Sequence, residues 1–207
     1  MKVLIINGSP HVDGTTARAI REVTKVFDGE GVEFDVVCVG NQPMRGCMSC
    51  GFCKKGGGKC VLNDAVNVAA PLFEAADGII VASPVHYASP SGNIISFLDR
   101  LFYSTSFDKT MKVGAAVVCA RRGGCTASFD VLNKYFTISG MPIAASTYWN
   151  QVHGAVAEDA EEDLEGLATM RNLAKNMLFL MRSIALGKEK YGLPEKEPKA
   201  RTNFIKR

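Results

Sequence analysis

Two groups of residues have types and spacings that can carry chemistry. The first is Cys47, Cys50, Cys53 and Cys60, which read C-x2-C-x2-C-x6-C. Three thiols at successive x2 spacing match iron–sulfur ligation, and a [4Fe–4S] cluster held by four cysteines is one group open to this spacing. Gly46, Gly51, Gly56, Gly57 and Gly58 flank them and let the backbone fold around a cluster. A cysteine-only zinc site uses the same side chains, more often as two separated C-x2-C pairs. A loop of free thiols is the third state open to this spacing. The second group is Asn7-Gly8-Ser9-Pro10-His11-Val12-Asp13-Gly14-Thr15-Thr16, which sits between the apolar run Val3 to Ile6 and a helical pattern. A strand, polar loop and helix in that order aim unpaired backbone N–H groups at one spot, and the helix dipole adds positive charge there. Such a spot suits a phosphate, with hydroxyl donors from Ser9, Thr15 and Thr16. The loop lacks both G-x-x-x-x-G-K-[ST] and G-x-G-x-x-G, and has no lysine. That chemistry fits a monoester phosphate without metal. The alternative is that Ser9 or Thr15 caps the helix.

The elements that position these groups alternate between apolar strands and helical patterns. Ile20, Val23 and Phe27 mark a first helix that stops near Gly29 and Gly31. Phe34 to Val39, Gly78 to Ala82, Val113 to Cys119 and Ile143 to Thr147 read as strands two to five. Ile94, Phe97, Leu98 and Leu101 share a helix face after the third strand, and a further helix follows the fourth. A long amphipathic helix is expected from about Glu158 to Leu186, carrying Leu164, Leu167, Ala168, Ala174, Leu178 and Met181. Five strands with intervening helices predict an α/β fold, a doubly wound parallel sheet covered on both faces. The expected strand order is 2-1-3-4-5, the flavodoxin-like order, in one domain over residues 1–186.

In such a sheet ligands sit beyond the carboxyl ends of the strands. Two more loops fall there. Ser83-Pro84-Val85-His86-Tyr87-Ala88-Ser89-Pro90-Ser91-Gly92-Asn93 has prolines that stiffen it and an aromatic able to lie along a flat ring. Ala120-Arg121-Arg122-Gly123-Gly124 pairs arginines, which stabilise negative charge, with glycines, which let backbone approach a ligand. Tyr87 as a packing aromatic and both arginines as solvated turn residues are the plainer readings.

Gly8-Ser9-Pro10, Ser83-Pro84-Val85-His86-Tyr87, Ser91-Gly92, Phe97-Leu98-Asp99-Arg100 and Ala120-Arg121-Arg122-Gly123-Gly124 together resemble the NADPH-dependent FMN reductase family of the flavodoxin-like superfamily. Tyr148-Trp149-Asn150 and His153 look like the later part of its pattern, so the resemblance runs from Val3 to about Leu186. His11 stands where the family more often has arginine. The cysteine spacing resembles the compact motif of the iron–sulfur flavoproteins, a branch of the same superfamily. The resemblance implies noncovalent FMN. Ser9, His11, Thr15 and Thr16 would hold its phosphate, Pro84, Val85, His86 and Tyr87 would line the isoalloxazine, and Arg121, Gly123 and Gly124 would border the pyrimidine side. NAD(P)H would deliver hydride to flavin N5 and be replaced by a flavin, a quinone or another small electrophile. An iron–sulfur flavoprotein that exchanges single electrons with a ferredoxin-like partner is the alternative, and a non-catalytic flavin-binding module a third. The resemblance also implies a homodimer or homotetramer. Asp99 and Arg100 are expected to be a structural helix pair, and Cys38, Cys119 and Cys125 buried apolar residues.

Composition bounds the rest. The net charge is +3, but residues 187–207 carry seven Lys/Arg and three Asp/Glu, which leaves −1 elsewhere. That is no broad basic surface for nucleic acid. Pro194 and Pro198 make this tail an extended basic arm, expected to pack on a neighbouring subunit or to be solvated. The four-residue N-terminal apolar run is no signal peptide, and no apolar run approaches the length of a membrane span, so a cytoplasmic location is expected.

Overall fold

The computed structural model describes residues 1–198, Ala200 and Thr202. In chain order its elements are β1 (Lys2–Asn7), α1 (Thr15–Gly29), β2 (Glu33–Cys38), α2 (Phe52–Lys55), α3 (Ala65–Ala75), β3 (Gly78–His86), β4 (Ser89–Pro90), α4 (Gly92–Ser104), β5 (Val113–Ala120), α5 (Cys125–Thr137), β6 (Gln151–His153), α6 (Ala157–Glu162) and α7 (Leu164–Tyr191). Strand side chains alternate between two cores, as the period of two requires. Val3 and Ile5 of β1, Ile80 and Ala82 of β3, and Val113, Ala115 and Val117 of β5 pack on α1 and α7. Leu4, Ile6, Ile79, Val81, Ala116 and Val118 point to the other face, against α3, α4 and α5. The parallel strands run in the order β2-β1-β3-β5-β6, and β4 pairs antiparallel with the end of β3. With the short β4 set aside, this is the expected 2-1-3-4-5 order.

Three expectations need correction. The fifth parallel strand is Gln151–His153, not Ile143 to Thr147. Ile143 makes only an isolated bridge to Gly114, with Gly114 N–H donating to Pro142 O and Ala144 N–H to Gly114 O, each at 2.8 Å. The chain then bulges away and returns at Asn150, whose Nδ2 donates to Ala116 O and whose carbonyl accepts from Val118 N–H, both at 3.0 Å. A buried side-chain amide thus stands in the ladder where strand backbone was expected. The long last helix is in fact two, α6 and α7, separated at Asp163. The Asp163 carboxylate accepts from His153 N–H at 2.7 Å and Gly166 N–H at 2.9 Å, tying the break to β6 and capping α7. α7 then runs to Tyr191, past the expected end at Leu186, because no proline intervenes before Pro194. Cys38 is exposed, since it ends the edge strand β2. Of the basic arm, Lys196 pairs with Asp108 of its own chain at 2.7 Å, while Lys199, Arg201 and residues 203–207 lie outside the described residues.

Among the described residues no helix is long and apolar enough to cross a membrane. Replacing Asn150 by alanine leaves the buried Ala116 carbonyl without its amide donor, and should cost about 1–3 kcal/mol of stability. Urea unfolding at constant m checks this; an unchanged midpoint would mean the amide is not holding the β6 edge.

Candidate functional site

The loop after β1 is clamped on both sides before any ligand arrives. Gly8 N–H donates to Ala82 O of β3 at 2.8 Å, and Ser91 Oγ, at the start of α4, donates to Gly8 O at 2.9 Å. Ser91 N–H is held in turn by Ser83 Oγ at 3.0 Å. A Cβ on Gly8 would lie 2.8 Å from Ile94 Cβ, and one on Gly40 would lie 2.1 Å from the Ser9 carbonyl carbon. Asn93 Nδ2 fixes the Gly40 side of this packing by donating to Gly40 O at 2.8 Å and Gln42 O at 2.9 Å. Past the clamp, Asn7 Oδ1 accepts from Ser9 N–H at 2.9 Å, and Ser9 Oγ accepts from His11 N–H at 3.2 Å.

The loop delivers the chain to the N-terminus of α1. Gly14 occupies the cap position in extended conformation, and no side chain caps the helix. The first helical bond runs from Arg18 N–H to Gly14 O at 3.1 Å. The N–H groups of Thr15, Thr16 and Ala17 lie ahead of it, at the positive end of the dipole. Asp13, the one carboxylate in this loop, is neutralised by Arg21 at 2.6 Å and Arg18 at 3.6 Å, so it does not oppose an anion.

The α1 terminus opens into a cleft of ≈ 550 Å³ at the carboxyl edge of the sheet, within the usual range of small-molecule sites. Ser9, His11, Thr15, Thr16, Pro84, Val85, His86 and Arg121, all expected at the site, line it together. Tyr87, Gly123 and Gly124 do not. The second loop is a tight hairpin in which Val85 pairs with Pro90 and His86 with Ser89. Its two turn residues, Tyr87 (φ 51°) and Ala88 (φ 57°), are left-handed, as a two-residue hairpin turn demands. This carries the Tyr87 ring clear of the wall into full exposure. Gly124 (φ 94°) backs the hairpin instead of the cleft: a Cβ there would lie 2.8 Å from Ala88 Cα and from Val85 Cγ1.

One of the expected phosphate hydroxyls is already engaged. Thr15 Oγ1 bonds Gly154 O and Val156 O, each at 3.2 Å. Burial, only partly offset by the neighbouring Thr16 hydroxyl, pushes the Cys119 thiol up to about 12, so it stays neutral on the cleft floor. The Thr15 bonds dock a wall that sequence reasoning missed, the β6–α6 segment Gly154 to Glu158. Asp159 Oδ2 fixes this segment by accepting from Ala155 N–H at 2.8 Å. Its only local signal was Gly154.

The four cysteines line a second, separate cavity with Arg100, Tyr103 and Ser104. It shares no lining residue with the cleft. Cys47 and Cys50 are exposed, Cys53 and Cys60 half-buried, and all four are free thiols. Among the described residues no group of three or more His, Cys, Asp or Glu side chains is placed to hold a metal ion. Asp99 and Arg100 are not a pair. Asp99 accepts from the Tyr135 hydroxyl at 2.5 Å, while Arg100, buried on a different face of α4, binds Asp64 at 2.7 and 2.8 Å and the Cys60 sulfur at 3.3 and 3.4 Å. Burial alone would lower the Arg100 pKa, but the bonds to Asp64 and Cys60 outweigh it and raise it.

The family model described as NADPH-dependent FMN reductase matches residues 1–155. The chain belongs to that family. It is an oxidoreductase with FMN as cofactor. An iron–sulfur flavoprotein of Methanocaldococcus jannaschii is 30% identical over 192 residues, covering 89% of this chain and 99% of the relative. One from Methanosarcina thermophila is 29% identical over 194 residues, covering 92% of this chain and all of the relative. Among solved structures, RosB with a bound formylriboflavin phosphate intermediate superposes with a TM-score of 0.71 at 15% identity, covering 100% of this chain and 94% of the other. NAD(P)H:quinone oxidoreductase from Methanothermobacter marburgensis gives 0.66 at 14% identity, covering 86% and 96%. These two likenesses are of fold.

For this FMN reductase family member the uncapped α1 terminus makes a prediction with opposite signs. Gly14→Asp supplies a cap carboxylate and should stabilise the FMN-free protein by a few tenths of a kcal/mol. The same negative charge competes with a phosphate, so FMN affinity should fall about tenfold or more. Thermal melts and flavin-fluorescence titration read the two effects; unchanged FMN affinity would remove the phosphate from α1.

Proposed function

We propose that this chain oxidises NAD(P)H through FMN seated in the carboxyl-edge cleft and passes the electrons to a flavin, a quinone or another small electrophile. The observation that carries this reading is the uncapped N-terminus of α1 opening on a cleft of ligand size. The cradle that Gly8 and Gly40 form, closed to any Cβ, fits the same conclusion. The backbone N–H groups of Thr15 and Thr16, with Ser9 and His11, hold the phosphate. Thr15 acts through backbone because its hydroxyl is engaged elsewhere. Pro84, Val85 and His86 line the flavin ring, and Arg121 meets its pyrimidine side, where negative charge develops on reduction. FMN bound there supplies hydride chemistry at N5, so no protein nucleophile is required. Tyr87, Gly123 and Gly124 act from the rim, Tyr87 toward a second copy in a cytoplasmic homodimer or homotetramer. Exposed Tyr148 and Trp149, packed edge to face at 4.7 Å, support such a contact.

A second reading is favoured by a specific observation, the gathering of four thiols round one cavity with cationic and hydroxyl donors beside them. Here Cys47, Cys50, Cys53 and Cys60 hold a [4Fe–4S] cluster, and a ferredoxin-like protein exchanges single electrons with it. The names of the archaeal relatives support this. The four thiols that line the cavity would be the ligands, and Ser104, buried beside them with no hydroxyl partner among the described residues, would be a donor to such a group.

Protein purified without oxygen should show flavin bands that NAD(P)H bleaches and that return on adding a quinone or free flavin. Flavin left unbleached would reduce the protein to a binding module. Iron and sulfide measured on the same sample decide the second reading: about four irons per chain support it, and none removes it.

A further inference from the structure

We propose that Arg100, with Ser104 beside it, positions Cys60 as the fixed cysteine of the cluster site and raises the reduction potential of the cluster held there. This rests on the iron–sulfur reading of Cys47, Cys50, Cys53 and Cys60. Arg100 is 2% exposed and heads the fully buried side chains by size. A guanidinium in that position must be fully hydrogen-bonded, because an unpaired buried charge is strongly destabilising. Its partners come from both ends of the cysteine loop. Nη1 donates to Arg45 O at 3.2 Å, just before Cys47, and Nη1 and Nη2 pair with Asp64 at 2.7 and 2.8 Å, just after Cys60. One side chain thus closes the base of the loop.

The rest of the fork is shared between sulfur and carbonyl. Nε points at Cys60 Sγ from 3.4 Å, Nη2 reaches Cys60 Sγ at 3.3 Å and Leu62 O at 3.4 Å, and Nη1 approaches Met44 Sδ at 3.5 Å. Cys60 is also held by its backbone: its N–H donates to Asn67 Oδ1 at 3.0 Å, and its carbonyl accepts from Asn67 Nδ2 at 2.9 Å. Main chain and thiol are therefore both fixed, whereas Cys47 and Cys50 ride on an exposed loop. Asp64 and the loop carbonyls engage Nη1 and Nη2, while Nε has Cys60 Sγ as its one partner among the described residues. Donors on a ligand sulfur, and a positive charge beside it, stabilise the added electron of a reduced cluster. The unpartnered Ser104 hydroxyl is a further donor lining the same cavity. No group in the flavin cleft is involved, so the effect belongs to the cluster alone.

Arg100→Lys keeps a positive charge for Asp64 and removes the fork from sulfur. Iron, sulfide and FMN content would be measured with an EPR-monitored redox titration on wild type and variant. The expected result is full FMN, an unchanged flavin midpoint, and a cluster midpoint moved to lower potential. Each tenfold loss of preference for the reduced state lowers it by about 59 mV. Loss of iron with FMN and far-UV circular dichroism retained also supports the proposal, through loss of the Cys60 anchor. A full cluster at the wild-type midpoint overturns it and leaves the iron–sulfur reading intact. Wild type without iron overturns that reading itself, and Arg100's role with it. Should Arg100→Lys fail to fold, Ser104→Ala samples the same donors: a lowered midpoint supports the proposal, and an unmoved one overturns it.

Discussion

The two hydrogen bonds on Gly8 hold the rest of the site in place. Gly8 N–H binds Ala82 O and Gly8 O takes the Ser91 hydroxyl, each within 2.9 Å. The first loop is thereby locked between β3 and α4, and the close approach leaves no room for a Cβ. Everything downstream inherits that position: the turn at Ser9, the entry into α1 and the direction in which its free N–H groups face. The parallel sheet supplies the reason the pieces meet, since β1, β3, β5 and β6 all end on one edge.

Polar side chains in the cleft divide between building it and facing what it holds. The Thr15 hydroxyl closes the wall against Gly154 and Val156. In the proposed function, recognition of an anion falls to the helix backbone, which carries its partial charge whatever the side chains are, so the loop needs no lysine. The cysteine cavity follows another logic. There a buried guanidinium, held by Asp64 and by loop carbonyls, turns its Nε and Nη2 toward one sulfur. The helix end and the guanidinium thus put positive charge at two separate places.

The sheet and most of the cleft were legible from the chain, because buried parallel strands leave continuous apolar runs and polar loops punctuate their ends. The runs Val3 to Ile6, Gly78 to Ala82 and Val113 to Cys119 are such cases. The misplaced fifth strand came from Ile143 to Thr147, an apolar start with no mark that the chain would leave the ladder at Ala145. Asn150 rejoins it through a side-chain amide, which periodicity does not register. Tyr87 read as a ring-facing aromatic because a left-handed turn without glycine or asparagine leaves no local signature. The Gly154 to Glu158 wall is shaped by Thr15 and Asp159, contacts made across the fold or by a short helix. Arg100 looked like the partner of Asp99 through adjacency, yet neighbouring helical residues diverge by about 100° and reach different surroundings.

The proposed function turns on a phosphate ester seated at the α1 terminus. Comparing FMN with riboflavin, which differ by that phosphate alone, tests it most directly. Two charge-assisted hydrogen bonds at the helix end are worth roughly 3 kcal/mol or more. Riboflavin should therefore bind the flavin-free protein about 100-fold more weakly than FMN. Equal affinities would contradict the account and move recognition from the α1 terminus to the ring.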